Sequence, residues 1–124
     1  LEKSAMPHLV IDYSANLTDF PHAQILKDVN AAVCASPEVK DEADLKSRAN
    51  RIEHFEIGTE PANRGFVHAQ LRLLAGRSPE AKKDLAERIA VVLRKHTPRP
   101  AGMLVQMSVE LLDMDRGSYV KERL

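Results

Sequence analysis

The order strand, helix, strand occurs twice along the chain, and this repetition limits the fold more than any other feature of the sequence. The first copy runs from Pro7 to about Ile57, and the second runs from Phe66 to about Leu112. A strand that is joined through a helix to another strand of the same sheet forms a right-handed crossover with parallel pairing. Two such units predict one sheet with two helices on one face, a duplicated β-α-β unit of the α+β class in the order β-α-β-β-α-β.

The first unit contains a regular strand, a helix and a less regular strand. The first strand follows Pro7 and alternates apolar with other residues. The helix is predicted from Asp19 to about Ala35, with Thr18 or Asp19 as its N-cap, and the second strand from about Ser47 to Ile57. The residues predicted to face the core on the first strand and the helix are Leu9, Ile11, Tyr13, Phe20, Ala23, Leu26, Val29 and Val33.

The second unit has clearer boundaries. Apolar residues alternate from Gly65 to Leu74, and the stretch Ser78-Pro79-Glu80 supplies an N-cap hydroxyl, a proline suited to the first helical position and a carboxylate suited to the helix dipole. Two prolines in the stretch 97–100 end this helix before a last strand from Met103 to about Leu112. The residues predicted to face the core are Val67, Ala69, Leu71, Leu73, Ala81, Leu85, Ile89, Val92, Met103, Val105, Met107, Val109 and Leu111.

The last strand also carries apolar residues on its other side. Leu104 and Leu112 point away from Met103 and Val109, because successive residues of a strand face opposite ways. The pattern contains no third helix to cover this second face. We therefore expect other subunits to cover it.

Composition excludes several classes of protein. The chain has 124 residues, 44% hydrophobic and 29% charged, which suits one domain. Its formal net charge is +0, so no global basic field attracts nucleic acid or an anionic membrane. A single cysteine, Cys34, excludes an intrachain disulfide, and no apolar run approaches the roughly 18 residues of a membrane span. A cytoplasmic location is the expectation.

The pair Met6-Pro7 directly before the first strand allows two interpretations. A proline can open a strand simply because that position needs no ladder hydrogen bond. Alternatively, Met6 is the natural start and Pro7 is the mature amino terminus. Residues 1–5 would then be an extraneous leader, and residues 6–124 a single domain.

Two blocks of sequence, MPHLVIDYS at 6–14 and FVHAQLRLLAGRS at 66–78, together with the duplicated organisation, resemble the 5-carboxymethyl-2-hydroxymuconate isomerase family of the tautomerase superfamily. The likeness runs from Met6 to about Asp113. It implies a fold like that of macrophage migration inhibitory factor, in a trimer whose sheets pack into a central barrel-like core. It also implies a delta-isomerase, classed as an intramolecular oxidoreductase, that acts on a small carboxylate substrate in homoprotocatechuate or other aromatic-acid degradation.

The resemblance assigns catalysis to the nitrogen of Pro7 after removal of Met6. A proline inside a chain has an amide nitrogen with a delocalised lone pair, so only an amino-terminal proline can act as a base. The α-amino group has a pKa of roughly 8, and guanidinium charge or an apolar pocket lowers that pKa toward neutrality. The protonated nitrogen can return its proton farther along a conjugated chain, so the reaction requires no metal, nucleotide or redox cofactor.

Three cations are candidates for binding the carboxylates of the substrate. Arg77 lies in a turn before the second helix, where free backbone N–H groups favour anions and a guanidinium can add a bidentate clamp. The resemblance implies a second cationic position at Arg48. The family pattern there is Arg-Ser-Arg, whereas this chain has Lys46-Ser47-Arg48. Whether Lys46 or Arg48 contacts the substrate is left open.

Two other functions are compatible with the same pattern. A small change in pocket shape would give a tautomerase-fold protein with a different unsaturated acid as its substrate. A non-enzymatic small-ligand-binding module of two β-α-β units would require neither removal of Met6 nor Pro7. The histidines, including His8 and His68, and Cys34 show no metal-ligand or thiolate pattern and are predicted to be structural.

Overall fold

Four strands form one mixed sheet, and both helices pack against one face of it. The computed structural model describes residues 4–124, so residues 1–3 of the predicted leader lie outside the described part of the chain. Within that part, neither helix is long and apolar enough to cross a membrane. The elements are β1 His8–Ser14, α1 His22–Cys34, β2 Lys46–Ile52, β3 Arg64–Leu74, α2 Pro79–His96 and β4 Leu104–Met114, with short 3₁₀ helices at Glu42–Asp44 and Arg116–Ser118.

The sheet has the strand order β2-β1-β3-β4. The strands within each unit, β1 with β2 and β3 with β4, pair in parallel, and β1 pairs with β3 antiparallel. This arrangement confirms the predicted order β-α-β-β-α-β. Because β3 runs opposite to β1 and β2, the starts of β1 and β2 and the end of β3 meet at one edge of the sheet.

The core lies between the sheet and the helices. On β1, Leu9 and Ile11 are fully buried, whereas His8 and Val10 are only partly buried. Fully burying one large aliphatic side chain contributes roughly 1.5–3 kcal/mol of transfer free energy, so this alternation fixes which side of β1 faces the helices. The helix residues buried in the core are Ile25, Val29 and Val33 on α1 and Leu85, Ile89, Val92 and Leu93 on α2.

Helix α1 begins later than the predicted start at Asp19. Its N-cap is Pro21, which has no side-chain capping bond, so the predicted capping by Thr18 or Asp19 is wrong. The reason is tertiary packing. Phe20 is buried and stacks on Tyr13, with 4.0 Å between the ring centroids, so the segment before α1 folds into turns that carry this ring to the sheet.

Two smaller predictions are also corrected. Strand β2 covers Lys46–Ile52 and does not continue to Ile57, because its partner β1 ends at Ser14, opposite Ile52. In α1, Ala23 is exposed, and Ile25 is buried in its place.

The side of the sheet away from the helices, called the open face below, mixes polar and apolar residues. Leu104 and Leu112 of β4 lie there with 58% and 36% of their surface exposed, which confirms their predicted direction. Between strands, Nε2 of Gln70 donates to Oε1 of Glu110 at 2.7 Å, and Nε2 of His68 lies 3.2 Å from the same oxygen. Coverage of the open face by other subunits stays a prediction.

The C-terminal segment, residues 115–124, contacts the chain just before β2. Nζ of Lys121 donates to Oδ1 of Asp44 at 2.8 Å, and Nη2 of Arg123 donates to Oδ2 of Asp41 at 2.7 Å and to Oδ1 of Asp44 at 3.1 Å. The hydrogen bond from Lys121 is the largest cause that lowers the pKa of the Asp44 carboxyl, and Arg123 adds to it against the opposing effect of burial. These ion pairs, called the C-terminal clasp below, tie the end of the chain to the start of β2.

We expect Asp44→Asn to destabilise the protein at neutral pH and to lose this effect in acid. The folded-state pKa of Asp44 lies below its unfolded value of about 3.9, so its contribution is complete above that value and is lost as pH falls through the folded pKa. Thermal unfolding at a series of pH values measures the difference between variant and wild type. The exposed residue Asp19, changed to Asn, is the control, and an Asp44→Asn difference that stays constant with pH would contradict the assignment.

Candidate active site

Pro7 is buried and lies directly before β1, where its carbonyl accepts a hydrogen bond from the backbone N–H of Lys46 at 3.2 Å. The preceding residues continue alongside β3, because the N–H of Leu74 donates to the carbonyl of Ala5 at 2.9 Å. Met6 has a φ of 46°, a left-handed conformation that costs a non-glycine residue roughly 1–2 kcal/mol. The segment before Pro7 therefore passes between the start of β2 and the end of β3.

Arg77 lies close to this segment in a buried ion pair. Its side chain is 3% exposed, and its Nε lies 3.3 Å from Oε1 of Glu38. Its Nη1 donates to the carbonyl of Leu74 at 2.7 Å. Leu74 thus bonds to Arg77 through its carbonyl and to Ala5 through its N–H. Glu38, which no pattern in the sequence indicates as a partner, partly offsets the charge of this guanidinium.

Lys46 and Arg48 occupy neighbouring positions on β2, opposite His8 and Val10 of β1. Nζ of Lys46 donates to the backbone carbonyl of Asp44. Burial is the largest cause that lowers the pKa of Lys46, and the charge of Lys121 lowers this pKa further. Arg48 is exposed, and its Nη1 lies 3.3 Å from Nδ1 of His8.

His8 lies between Arg48, one of the predicted substrate-binding residues, and Tyr119 in the C-terminal segment. Its Nε2 lies 2.9 Å from the hydroxyl of Tyr119. Burial lowers the pKa of His8, and the charges of Lys46, Arg48 and Arg72 lower it further, so the ring is neutral at pH 7. Because Arg48 can only donate, Nδ1 is the acceptor, and the proton of the neutral ring lies on Nε2 and is donated to the Tyr119 oxygen.

The structure therefore places the predicted residues in two groups. Lys46 and Arg48 contact or neighbour His8, the residue that follows Pro7. Arg77 bonds to Leu74, the residue that pairs with Ala5 on the other side of Pro7.

Two residues at this site were not predicted to be functional. The sequence pattern indicated a structural role for His8 and no role for Tyr119. The position of His8 beside Pro7 was the one local signal, whereas nothing near Tyr119 indicates its contact.

Other reactive side chains have structural partners. His68, predicted to be structural, lies 2.6 Å from Oγ of Ser108 through its Nδ1 and 3.2 Å from Glu110 through its Nε2. Burial raises the pKa of the Cys34 thiol, and the charge of Glu42 adds to that shift. Among residues 4–124, no group of three His, Cys, Asp or Glu side chains is arranged to hold a metal ion.

The chain is similar to known proteins in its sequence and in its fold. Residues 7–123 match the 5-carboxymethyl-2-hydroxymuconate isomerase family. A comparison with curated proteins finds no significant match.

A 5-carboxymethyl-2-hydroxymuconate isomerase from Deinococcus radiodurans R1 is 27% identical, with a TM-score of 0.88 over 98% of this chain and 92% of that chain. A 5-carboxymethyl-2-hydroxymuconate delta-isomerase is 22% identical, with a TM-score of 0.81 over 98% of this chain and 89% of that one. A fused 4-OT wild type symmetric trimer is 18% identical, with a TM-score of 0.66 over 89% of this chain and 87% of that one. The tautomerase-like fold is thereby confirmed.

We expect Arg77→Met to destabilise the protein by about 1–3 kcal/mol, because it leaves the Glu38 carboxylate and the Leu74 carbonyl without their buried donor. Urea unfolding at fixed protein concentration measures this loss. Arg51→Met is the matched control. It removes an exposed ion pair, Arg51 to Glu53 at 2.9 Å, and exposed pairs contribute about 0–1 kcal/mol. Equal losses in the two variants would contradict a buried structural role for the Arg77 pair.

Proposed function

Because the chain belongs to the 5-carboxymethyl-2-hydroxymuconate isomerase family, and is therefore an isomerase of the tautomerase superfamily, we propose a specific reaction and base. The chain isomerises 5-carboxymethyl-2-hydroxymuconate or a close unsaturated dicarboxylic acid, without a cofactor, during the degradation of an aromatic acid such as homoprotocatechuate. Pro7, as the mature amino terminus, is the proton shuttle. The observation that carries the proposal is the position of Pro7, at the edge of the sheet where Lys46, Arg48 and Arg77 also lie.

The proposed chemistry requires a free Pro7 nitrogen. Removal of the residues before Pro7 converts an amide nitrogen into a secondary amine with an available lone pair. This amine accepts a proton from the dienol substrate and returns it to a carbon farther along the conjugated system, so a double bond shifts and no atom is gained or lost. The family match that begins at Pro7 supports this choice of amino terminus.

The surrounding charges favour a neutral amine at cytoplasmic pH. Arg77 bonds to the carbonyl of Leu74, whose N–H pairs with Ala5 just before Pro7, and the backbone N–H of Lys46 bonds to the carbonyl of Pro7, so both cationic residues lie near this position. Positive charge and burial both lower the pKa of an amine from roughly 8 toward neutrality. Glu38 opposes part of the effect of Arg77. A base whose pKa lies near the working pH transfers protons most effectively.

The same cations are the proposed carboxylate anchors. Arg48 is exposed and lies beside His8, the residue that follows Pro7, so its guanidinium can bind a carboxylate bidentately once the substrate enters. Lys46 and Arg77 already bond to backbone carbonyls, those of Asp44 and Leu74. Their charges stabilise the anionic substrate and the developing dienolate without leaving those contacts.

The proposal includes a homotrimer located in the cytoplasm. The two exposed leucines of β4, Leu104 and Leu112, lie on the open face. Burial of this apolar surface between identical subunits would stabilise the oligomer. The similarity to a fused symmetric trimer supports threefold assembly. The single cysteine, which can form no intrachain disulfide, fits a reducing compartment.

The proton-shuttle role is tested with protein that begins at Pro7. We expect turnover of 5-carboxymethyl-2-hydroxymuconate by this protein and a pH-rate profile whose acidic limb reports an amine pKa below about 8, because the unprotonated amine is the active base. N-acetylation should reduce kcat by at least about 100-fold, because it makes the nitrogen an amide. Pro7→Ala, which keeps a primary amine, should retain part of the activity. Full turnover by acetylated protein would exclude Pro7 as the base.

The trimer is tested by sedimentation equilibrium of wild type and Leu104→Asp. We expect wild type at three chain masses and the variant at lower mass, because a carboxylate on the open face would be buried without a partner at the subunit contact. Val91→Asp is the matched control, since Val91 on α2 is 57% exposed on the outer side of the protein. A monomeric wild type, or equal dissociation of both variants, would contradict the proposed assembly.

A further inference from the structure

Three side chains from distant parts of the sequence form a chain of contacts that ends at a proposed substrate anchor. The Tyr119 hydroxyl lies 2.9 Å from Nε2 of His8, and Nδ1 of His8 lies 3.3 Å from Nη1 of Arg48. We propose that Tyr119 and His8 are positioning residues that hold the Arg48 guanidinium where it binds a substrate carboxylate. This inference rests on the proposed function, because it assigns a role to the same site.

The directions of these hydrogen bonds follow from the charges around His8. The groups that face its ring are Lys46 and Arg48 from β2, Arg72 from β3 and the hydroxyl of Tyr119. Burial and the three positive charges lower the pKa of His8. The neutral ring accepts from Arg48 and donates to Tyr119, so only one tautomer fits both contacts.

Tyr119 is held in place from both sides along the chain. The C-terminal clasp follows it, with Lys121 bonded to Asp44 at 2.8 Å. Before it, Nε of Arg116 donates to the carbonyl of Ala75 at 2.8 Å. The Tyr119 and His8 rings also meet edge to face, with centroids 6.1 Å apart at 74°. The hydroxyl is therefore presented to His8 by several independent contacts.

Such a support matters because Arg48 is an exposed, long side chain. A free arginine loses rotamer freedom when it binds a ligand, and a hydrogen bond that holds it beforehand reduces that loss. A substrate carboxylate keeps its charge throughout the isomerisation. Support of its anchor therefore acts equally on ground state and transition state, and its removal raises KM and leaves kcat unchanged.

Protonation of His8 should also raise KM, because it breaks the contact that holds Arg48. Below the lowered pKa of His8, Nδ1 becomes a donor and can no longer accept from Arg48, and the ring adds a positive charge beside the guanidinium. The contact is therefore intact at neutral pH and is lost as pH falls. We expect KM to rise in the acidic range as this contact breaks.

The test compares Tyr119→Phe with Tyr13→Phe in protein that begins at Pro7, which retains all four strands and both helices. Loss of one hydrogen bond predicts that Tyr119→Phe raises KM by about 2- to 10-fold and leaves kcat within about twofold. Tyr13→Phe removes the same hydroxyl on the opposite, helix-facing side of the sheet and should leave both constants unchanged. Circular dichroism of each variant verifies the fold.

A second variant and a direct spectroscopic measurement separate positioning from general stability. His8→Asn keeps a hydrogen-bonding group near the position of Nδ1 but cannot titrate, so its KM should lose the rise that wild type shows as pH falls through the lowered pKa of His8. In the full chain at pH 7, the imidazole ¹⁵N shifts should show an unprotonated Nδ1 and a protonated Nε2. A ring protonated on Nδ1, or an acidic rise retained by His8→Asn, would overturn the inference.

The outcomes also distinguish this inference from the proposed function. If protein that begins at Pro7 turns over the substrate and Tyr119→Phe has unchanged KM, the positioning role is wrong and the proposed function stands. If Tyr119→Phe lowers kcat and leaves KM unchanged, the hydroxyl acts in chemistry and the positioning role is also wrong. If protein that begins at Pro7 has no isomerase activity, the proposed function is wrong, and the positioning role that depends on it is excluded as well.

Discussion

The placement of β1 between a parallel and an antiparallel neighbour is the constraint on which the rest of the structure depends. Because β1 and β2 run together and β3 runs against them, one edge of the sheet collects the starts of two strands and the end of a third. Strand β4 is parallel to β3 and ends at the same edge. Pro7, Lys46, Leu74 and the C-terminal segment are therefore brought together by backbone pairing, before any side chain makes a specific contact.

The alternation along β1 then divides this edge into two environments. Leu9 and Ile11 are fully buried against the helices, and Pro7, in phase with them, is buried at the strand start. His8 is turned to the open face, beside the cations of β2 and β3. The proposed base and the polar residue beside the proposed carboxylate anchors thus lie on adjacent residues that face opposite ways, because the side-chain period of a strand is two.

The charges at this edge are arranged so that few cations lack a nearby anion or acceptor. Glu38 pairs with Arg77, and Asp44 pairs with Lys121 and Arg123 of the C-terminal clasp. Lys46 donates to a backbone carbonyl, and Arg48 contacts a neutral histidine. Both proposed anchors on β2 thus contact uncharged acceptors in the described part of the chain.

The sequence by itself determined the elements and their order. Periods of two and 3.6 identified the four strands and two helices, and Ser78 caps α2 as predicted, its Oγ accepting from the N–H of Ala81 at 3.1 Å. These features depend on residues within a few positions of one another, so local pattern suffices. The resemblance identified the family, and Pro7, Lys46, Arg48 and Arg77 stay predictions as functional residues.

Only the tertiary structure decided which distant side chains meet. The start of α1 depends on Phe20 stacking on Tyr13, and the ion pair of Arg77 depends on Glu38, which lies before β2. Tyr119 and His8 are 111 residues apart, and no local pattern links them. Such contacts are set by the pairing of strands and by the path of the chain after β4, because both bring residues together irrespective of their separation in sequence.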